Sequence, residues 1–230
     1  MKKLAFLIVA AVVPMLNAAQ VLDLSWDIGT PTPNGKNAAS GSYAQDYKAS
    51  DSVLSGGTIS LSPALPAMNV NNAYRGNYTG TYTTAADALT SLQYLTIAVT
   101  PIGTVNFEKL VLNMQTATAS TFTWNLYSDK TGSTLLQSLS NGTQSTIINW
   151  QVDLTGFSGL QNVSTVTEFR IYGYRAASGA NKEAGFANAV GSEDIGVYAT
   201  VPEPASLGLL GFGLISIVGA MRFSARRGNA

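Results

Sequence analysis

Neither histidine nor cysteine occurs anywhere in these 230 residues. Thiolate ligands, disulfides, imidazole bases and the commonest metal ligand are therefore out of reach. Acid–base work would fall to carboxylates, since a pair of Asp or Glu side chains can run glycoside hydrolysis without histidine. Asp153, Glu168, Glu183, Glu193 and Asp194 are available, but their spacing singles out no pair. The reading is a protein that is not an enzyme, with a carboxylate-based glycoside hydrolase as the less favoured alternative. A structural calcium held by Asp and loop carbonyls is chemically compatible with such a chain. No EF-hand spacing supports one, so no cofactor is expected.

Binding chemistry is concentrated in Glu168-Phe169-Arg170-Ile171-Tyr172-Gly173-Tyr174-Arg175. On a strand whose Phe169 and Ile171 face the core, Glu168, Arg170, Tyr172 and Tyr174 project together from the other face. Two rings beside a hydrogen-bonding pair make a candidate glycan platform; a solvated face with a cross-strand ion pair is the plainer alternative. Tyr74, Arg75, Tyr78 and Tyr82 form a second cluster with the same two readings. Trp26, Trp124 and Trp150 fall at apolar phases of their segments, which assigns them to core packing.

The elements that must carry these side chains alternate with period two. Leu22, Leu24 and Trp26 oppose Asp23 and Ser25; Phe122, Trp124 and Leu126 oppose Thr121, Thr123 and Asn125; Ile148, Trp150, Val152 and Leu154 oppose Asn149, Gln151 and Asp153. Further strands are predicted at Thr58–Leu61, Tyr94–Val99, Leu110–Met114, Leu135–Leu139, Glu168–Tyr174 and Ile195–Ala199. One helical turn is predicted at Ala85–Ser91, and residues 29–57 read mostly as a long loop, with room for one short strand, that could cap one end. One-sided alternation requires a second sheet over each dry face. The predicted fold class is all-β: an antiparallel β-sandwich of jelly-roll type, with an N-terminal signal peptide and a single C-terminal transmembrane helix.

Both ends differ from this body. Met1-Lys2-Lys3 precedes an apolar run of about a dozen residues and then Asn17-Ala18-Ala19, the layout of a secretory signal peptide, here residues 1–19. Near the C-terminus, Leu207–Met221, taken with Ala205 and Ser206, would span only roughly 25 Å of a ~30 Å hydrocarbon core, and its glycines dilute the gain of insertion. Arg222, Arg226 and Arg227 follow as stop-transfer charges, which the positive-inside rule places in the cytoplasm. Residues 20–204 carry eight basic against thirteen acidic side chains, a net charge of −5. Such a surface lacks the basic footprint of a nucleic-acid binder.

Val201-Pro202-Glu203-Pro204-Ala205-Ser206, a Gly-rich apolar segment and a terminal Arg cluster together resemble the PEP-CTERM sorting signal of Gram-negative bacteria. Independently of that likeness, Pro202 and Pro204 bar regular structure and leave an extended, protease-accessible stem. The resemblance covers about thirty residues and implies processing near Pro202, Glu203 and Pro204 by an exosortase, a membrane-embedded cysteine protease. It further implies transit through the secretory translocon, a transient inner-membrane stage and a final place at the outer cell surface or in the extracellular matrix. The family's association with exopolysaccharide and biofilm gene sets points to a structural or adhesive matrix protein, with extracellular polysaccharide as a partner. The expected organisation is a signal peptide (1–19), a β-sandwich ectodomain (20–200) and a sorting signal (201–230).

Overall fold

Alternating Val, Ile, Leu and aromatic residues build thirteen strands among the described residues. In chain order they are β1 (Leu22–Trp26), β2 (Tyr43–Ala44), β3 (Tyr47–Lys48), β4 (Leu54–Leu61), β5 (Ala73–Asn77), β6 (Tyr94–Pro101), β7 (Asn106–Thr116), β8 (Phe122–Ser128), β9 (Gln137–Asn141), β10 (Ile148–Asp153), β11 (Thr167–Arg175), β12 (Glu183–Ala187) and β13 (Ile195–Thr200). The computed structural model describes residues 22–29, 36, 38, 41–68, 73–79, 82–117, 121–141, 144–175, 183–189 and 193–202. The expected signal peptide, Glu203, Pro204, the C-terminal apolar segment and Arg222, Arg226 and Arg227 lie outside them. Among the described residues, no helix is long and apolar enough to cross a membrane.

All strand pairings are antiparallel, and they form two sheets. One runs β2-β4-β6-β11-β8-β9. The other runs β3-β1-β13-β7-β12-β5, with β10 also on β7. Because Leu112 pairs with both Ile195 and Trp150, and Met114 with both Phe186 and Ile148, β13 and β12 share one edge of β7 and β10 takes the opposite edge. The eleven residues of β7 make that sharing feasible.

The dry faces meet in one core. Leu24, Trp26, Leu110, Leu112, Trp150, Val152, Ile195 and Val197 from one sheet pack with Ile97, Val99, Trp124, Leu126, Phe169 and Ile171 from the other. Phe107 and Phe169 lock the layers edge to face, with ring centroids 5.4 Å apart. All three tryptophans are core residues. Helix α1 (Ala85–Ser91) occupies the predicted turn, and its start is defined by a capping box in which Thr84 and Asp87 satisfy each other's backbone N–H.

Several boundaries differ from the sequence reading. The segment expected at Leu135–Leu139 is in strand only from Gln137 to Asn141, leaving Leu135 exposed while Leu136 is buried. Residues 29–57 contribute β2, β3 and the start of β4. Strands β5 and β12 were not anticipated. β1 is buried on both faces, so Asp23 and Ser25 do not form the wet face that alternation implies.

Candidate functional site

Strand β11 places Glu168, Arg170, Tyr172 and Tyr174 on the outer face of their sheet, opposite Phe169 and Ile171 in the core. Register sets the neighbours: Tyr172 lies between Tyr94 on β6 and Asn125 on β8, and Arg170 lies between Thr96 and Tyr127. Arg170 Nη2 and Nε donate to Glu168 Oε2 at 2.6 and 3.0 Å. The pair therefore runs along β11 rather than across strands. The guanidinium also lies over the Tyr94 ring, 5.3 Å from its centroid. Glu168 beside it raises the Arg170 pKa further above its ordinary value.

Helix α1 changes what this face offers. Ala88, Tyr127 and Tyr172 are buried together, with Leu89, Tyr94 and Tyr174 packed around them. Tyr172 is only 6% exposed, its ring 5.0 Å from that of Tyr94 and 5.6 Å from that of Tyr127. Burial raises the Tyr172 and Tyr127 phenols above their ordinary pKa. The expected pair of open stacking rings is thus corrected. Tyr172 is a packed ring under α1, whereas Tyr174 and Tyr94 remain half-buried and Arg170 partly open. Arg175 Nε and Gln93 Oε1, next in sequence to Tyr174 and Tyr94, are buried without a hydrogen-bond partner among the described residues.

The second tyrosine cluster is not a surface site. Tyr74 and Tyr78 are core residues, with Tyr74 stacked on Phe186 and Tyr78 tilted against Phe122. Arg75 faces Glu183, while Tyr82 accepts the Arg175 backbone N–H. The carboxylates considered for hydrolysis lie apart in role. Asp153 Oδ1 is engaged by Thr155, Glu168 by Arg170, and Asp194 by backbone donors. Among the described residues, no three His, Cys, Asp or Glu side chains gather as metal ligands.

Three charges are buried in ways the sequence reading does not mark, and for Asp23 and Asp194 the partners include residues more than 150 positions away. Asp194, with no exposed surface, accepts N–H groups from Ile28 at 2.7 Å and Ala189 at 2.6 Å, and an amide N–H from Asn113 at 3.2 Å. Asp23 accepts from Val53 N at 2.9 Å and Ala199 N at 2.7 Å. Desolvation raises both carboxyls above the ordinary range, with the backbone donors opposing it. Lys36, 2% exposed, gives its ammonium to Asp27 O at 2.7 Å and to both Asp46 oxygens at 2.8 and 2.6 Å. A charge on the polar side of β1, between apolar residues, was the available signal for Asp23; nothing local marked the other two.

One of these clasps, that of Asp23, lies at the chain's exit from the sandwich. β13 pairs with β1 on one side and β7 on the other, Asp23 holds Ala199, and Thr200 Oγ1 donates to Glu108 Oε1 at 2.8 Å. Beyond Thr200 the chain leaves the sheet, with Val201 62% exposed.

Comparisons with known proteins bear on the two parts separately. No curated protein matches the chain. Among solved structures, it is similar to a Stig cyclase, Fisc, from Fischerella sp. TAU in complex with (3Z)-3-(1-methyl-2-pyrrolidinylidene)-3H-indole. That likeness has 10% identity, 80% coverage of this chain, 100% of that chain and a TM-score of 0.38. It is also similar to TmCBM61 in complex with beta-1,4-galactotriose, at 9% identity, 76% and 92% coverage and a TM-score of 0.29. Likeness this slight transfers neither ligand. The tail is different: residues 200–227 match the family model of the PEP-CTERM protein-sorting motif. The strand that is clasped at Ala199 and Thr200 therefore runs directly into a motif that implies export, surface sorting and an exosortase as processing partner, and this chain is a PEP-CTERM motif-bearing protein.

Proposed function

We propose that the chain is a non-enzymatic structural or adhesive protein of the extracellular polysaccharide or biofilm matrix. Its jelly-roll domain is delivered to the outer surface or matrix by C-terminal processing. The observation that carries this reading is the absence of a spacer: β13 ends at Thr200 and the sorting motif begins at residue 200. The sandwich is cargo attached directly to its address. Replacing Pro202-Glu203-Pro204 with Ala-Ala-Ala is expected to leave a full-length, membrane-retained protein in the native host, read by immunoblot of cell fractions. Processing at the parent rate would sink the sorting mechanism.

A glycan-binding role is the second reading, favoured by the half-buried Tyr174 and Tyr94 beside Arg170 on the outer face of β11. Aromatic faces and a charged hydrogen-bonding pair suit a neutral or acidic polysaccharide. Glycan-array binding that weakens about tenfold in Tyr174→Ala, with an unchanged melting temperature, is the expected result. Turnover assays on the same polysaccharides separate this reading from a carboxylate hydrolase. Binding indifferent to Tyr174 removes the site.

A further inference from the structure

Among the described residues, β10 is the outermost strand of its sheet, paired with β7 alone. Two hydrogen bonds establish which of its backbone groups face outward. Asn113 donates its N–H to Asp194 O, toward β13, so the odd residues of β7 face β13 and the even ones face β10. In the register Trp150↔Leu112 and Val152↔Leu110, the even residues of β10 therefore bond to β7; Leu154 N to Glu108 O, 2.8 Å, continues the phase. Asn149, Gln151 and Asp153 point their N–H and C=O groups away from the sheet.

The remaining edges are blunted. β2 and β3 are two residues each, and β3 carries Lys48. β5 is covered by residues 66–68: Met68 N donates to Arg75 O, Asn77 N donates to Pro66 O, and Ala67 bridges Gly76. β9 reads Gln-Ser-Leu-Ser-Asn, with none of the β-branched or aromatic residues that favour strands, whereas β10 has three. β10 reads Ile-Asn-Trp-Gln-Val-Asp, with no Pro, Gly or Lys, and pairs with β7 without a bulge. Its one charge is partly turned back, since Asp153 Oδ1 accepts from Thr155 N and Oγ1 at 2.9 and 2.7 Å. Natural sheets seldom leave such an edge bare.

We propose that β10 docks on β10 of a second copy of this chain, joining two sheets edge to edge about a two-fold axis. The edge is self-complementary. Pairing all three outward residues of each copy puts the axis at the middle one, Gln151, whose amide meets its own copy as both donor and acceptor. Asn149 then opposes Asp153 of the second copy, an amide against a carboxylate. Trp150 opposes Val152 of the second copy on the core side. The three outward residues of each copy are the ones that exchange hydrogen bonds in this register. The edge lies at one side of its sheet, and the outer face of β11 belongs to the other sheet.

The test compares the full chain in nonionic detergent with Gln151→Pro and Gln151→Lys. Proline removes one outward N–H and none of the β7 ladder; lysine places two like charges across the axis. Sedimentation velocity is expected to show a concentration-dependent dimer in the parent, weakened about tenfold or more in both variants. Amide hydrogen exchange at Asn149, Gln151 and Asp153 is expected to slow as parent concentration rises. If the proline variant loses cooperative unfolding, the lysine variant decides. A parent that stays monomeric, a dimer that persists in the lysine variant, or exchange at these amides that ignores concentration would each overturn the proposal. So would protection that appears only when another exported protein is added, which would assign the edge to a foreign strand.

Discussion

Asp23 and Asp194 are carboxylates held inside the protein by backbone donors, so each performs two opposing tasks. It satisfies N–H groups that would otherwise be orphaned, and it carries a charge away from water. Asparagine can serve only one of the two oxygen positions as acceptor and turns an N–H₂ toward the other donor. Asp194→Asn, with Ile28 N and Ala189 N on different oxygens, is expected to cost about 1–3 kcal/mol by urea unfolding near neutral pH. The pH dependence follows from the raised carboxyls. Both hold a proton more readily folded than unfolded, so the parent's stability falls as pH rises from the unfolded value near about 3.9 through the folded pKa, and levels off above it. The free-energy gap between parent and Asp194→Asn should therefore widen on acidification toward about pH 4. A gap that narrows would show that the hydrogen bonds, not burial, dominate at this carboxyl.

Helix α1 is seven residues long, too short to persist without packing or a cap. It has both: Ala88 sits against Tyr127 and Tyr172, and Thr84 Oγ1 accepts the Asp87 N–H at 3.2 Å. Thr84→Ala is expected to cost about 1 kcal/mol and to raise the exposure of Tyr172, read by thermal melting and tyrosine fluorescence. The turn at Ala85–Ser91 was expected from sequence, and the capping box of Thr84 and Asp87 is what the structure adds to it. β1, β8 and β10 were legible because their sequences alternate cleanly. β5 (Ala-Tyr-Arg-Gly-Asn) and β12 (Glu-Ala-Gly-Phe-Ala) were not, because small residues leave no period to read. Their reason lies in each other: a Cβ on Gly185 would meet Tyr74 O at 2.3 Å, so the two backbones approach closely only with glycine there. The shared face of Glu168, Arg170, Tyr172 and Tyr174 followed from alternation alone. The covering of Tyr172 did not, because it depends on where α1 folds back across the sheet.

At the scale of the molecule, the position of β13 decides whether C-terminal processing is compatible with a stable domain. A sorting signal on an edge strand would put that strand at risk when the tail is cut or pulled. Here the strand feeding the signal is interior, flanked by β1 and β7, with Ile195 and Val197 fully buried and Ala199 held by Asp23. The chain is free of the sheet immediately afterwards, at Val201. Removing residues 201–230 is expected to leave the melting temperature of the remaining domain within about 2 °C, since β13, its ladders to β1 and β7 and the Asp23 clasp are all retained. Removing residues 195–230 takes away two fully buried side chains, at about 1.5–3 kcal/mol each, together with the ladders to both neighbours. That loss approaches a typical domain's entire net stability of about 5–15 kcal/mol, so cooperative unfolding should disappear. Circular dichroism melts of the two truncations make the comparison directly. A domain that melts cooperatively without β13 would mean that this strand is an accessory, and that the clasp at Asp23 serves the tail rather than the fold.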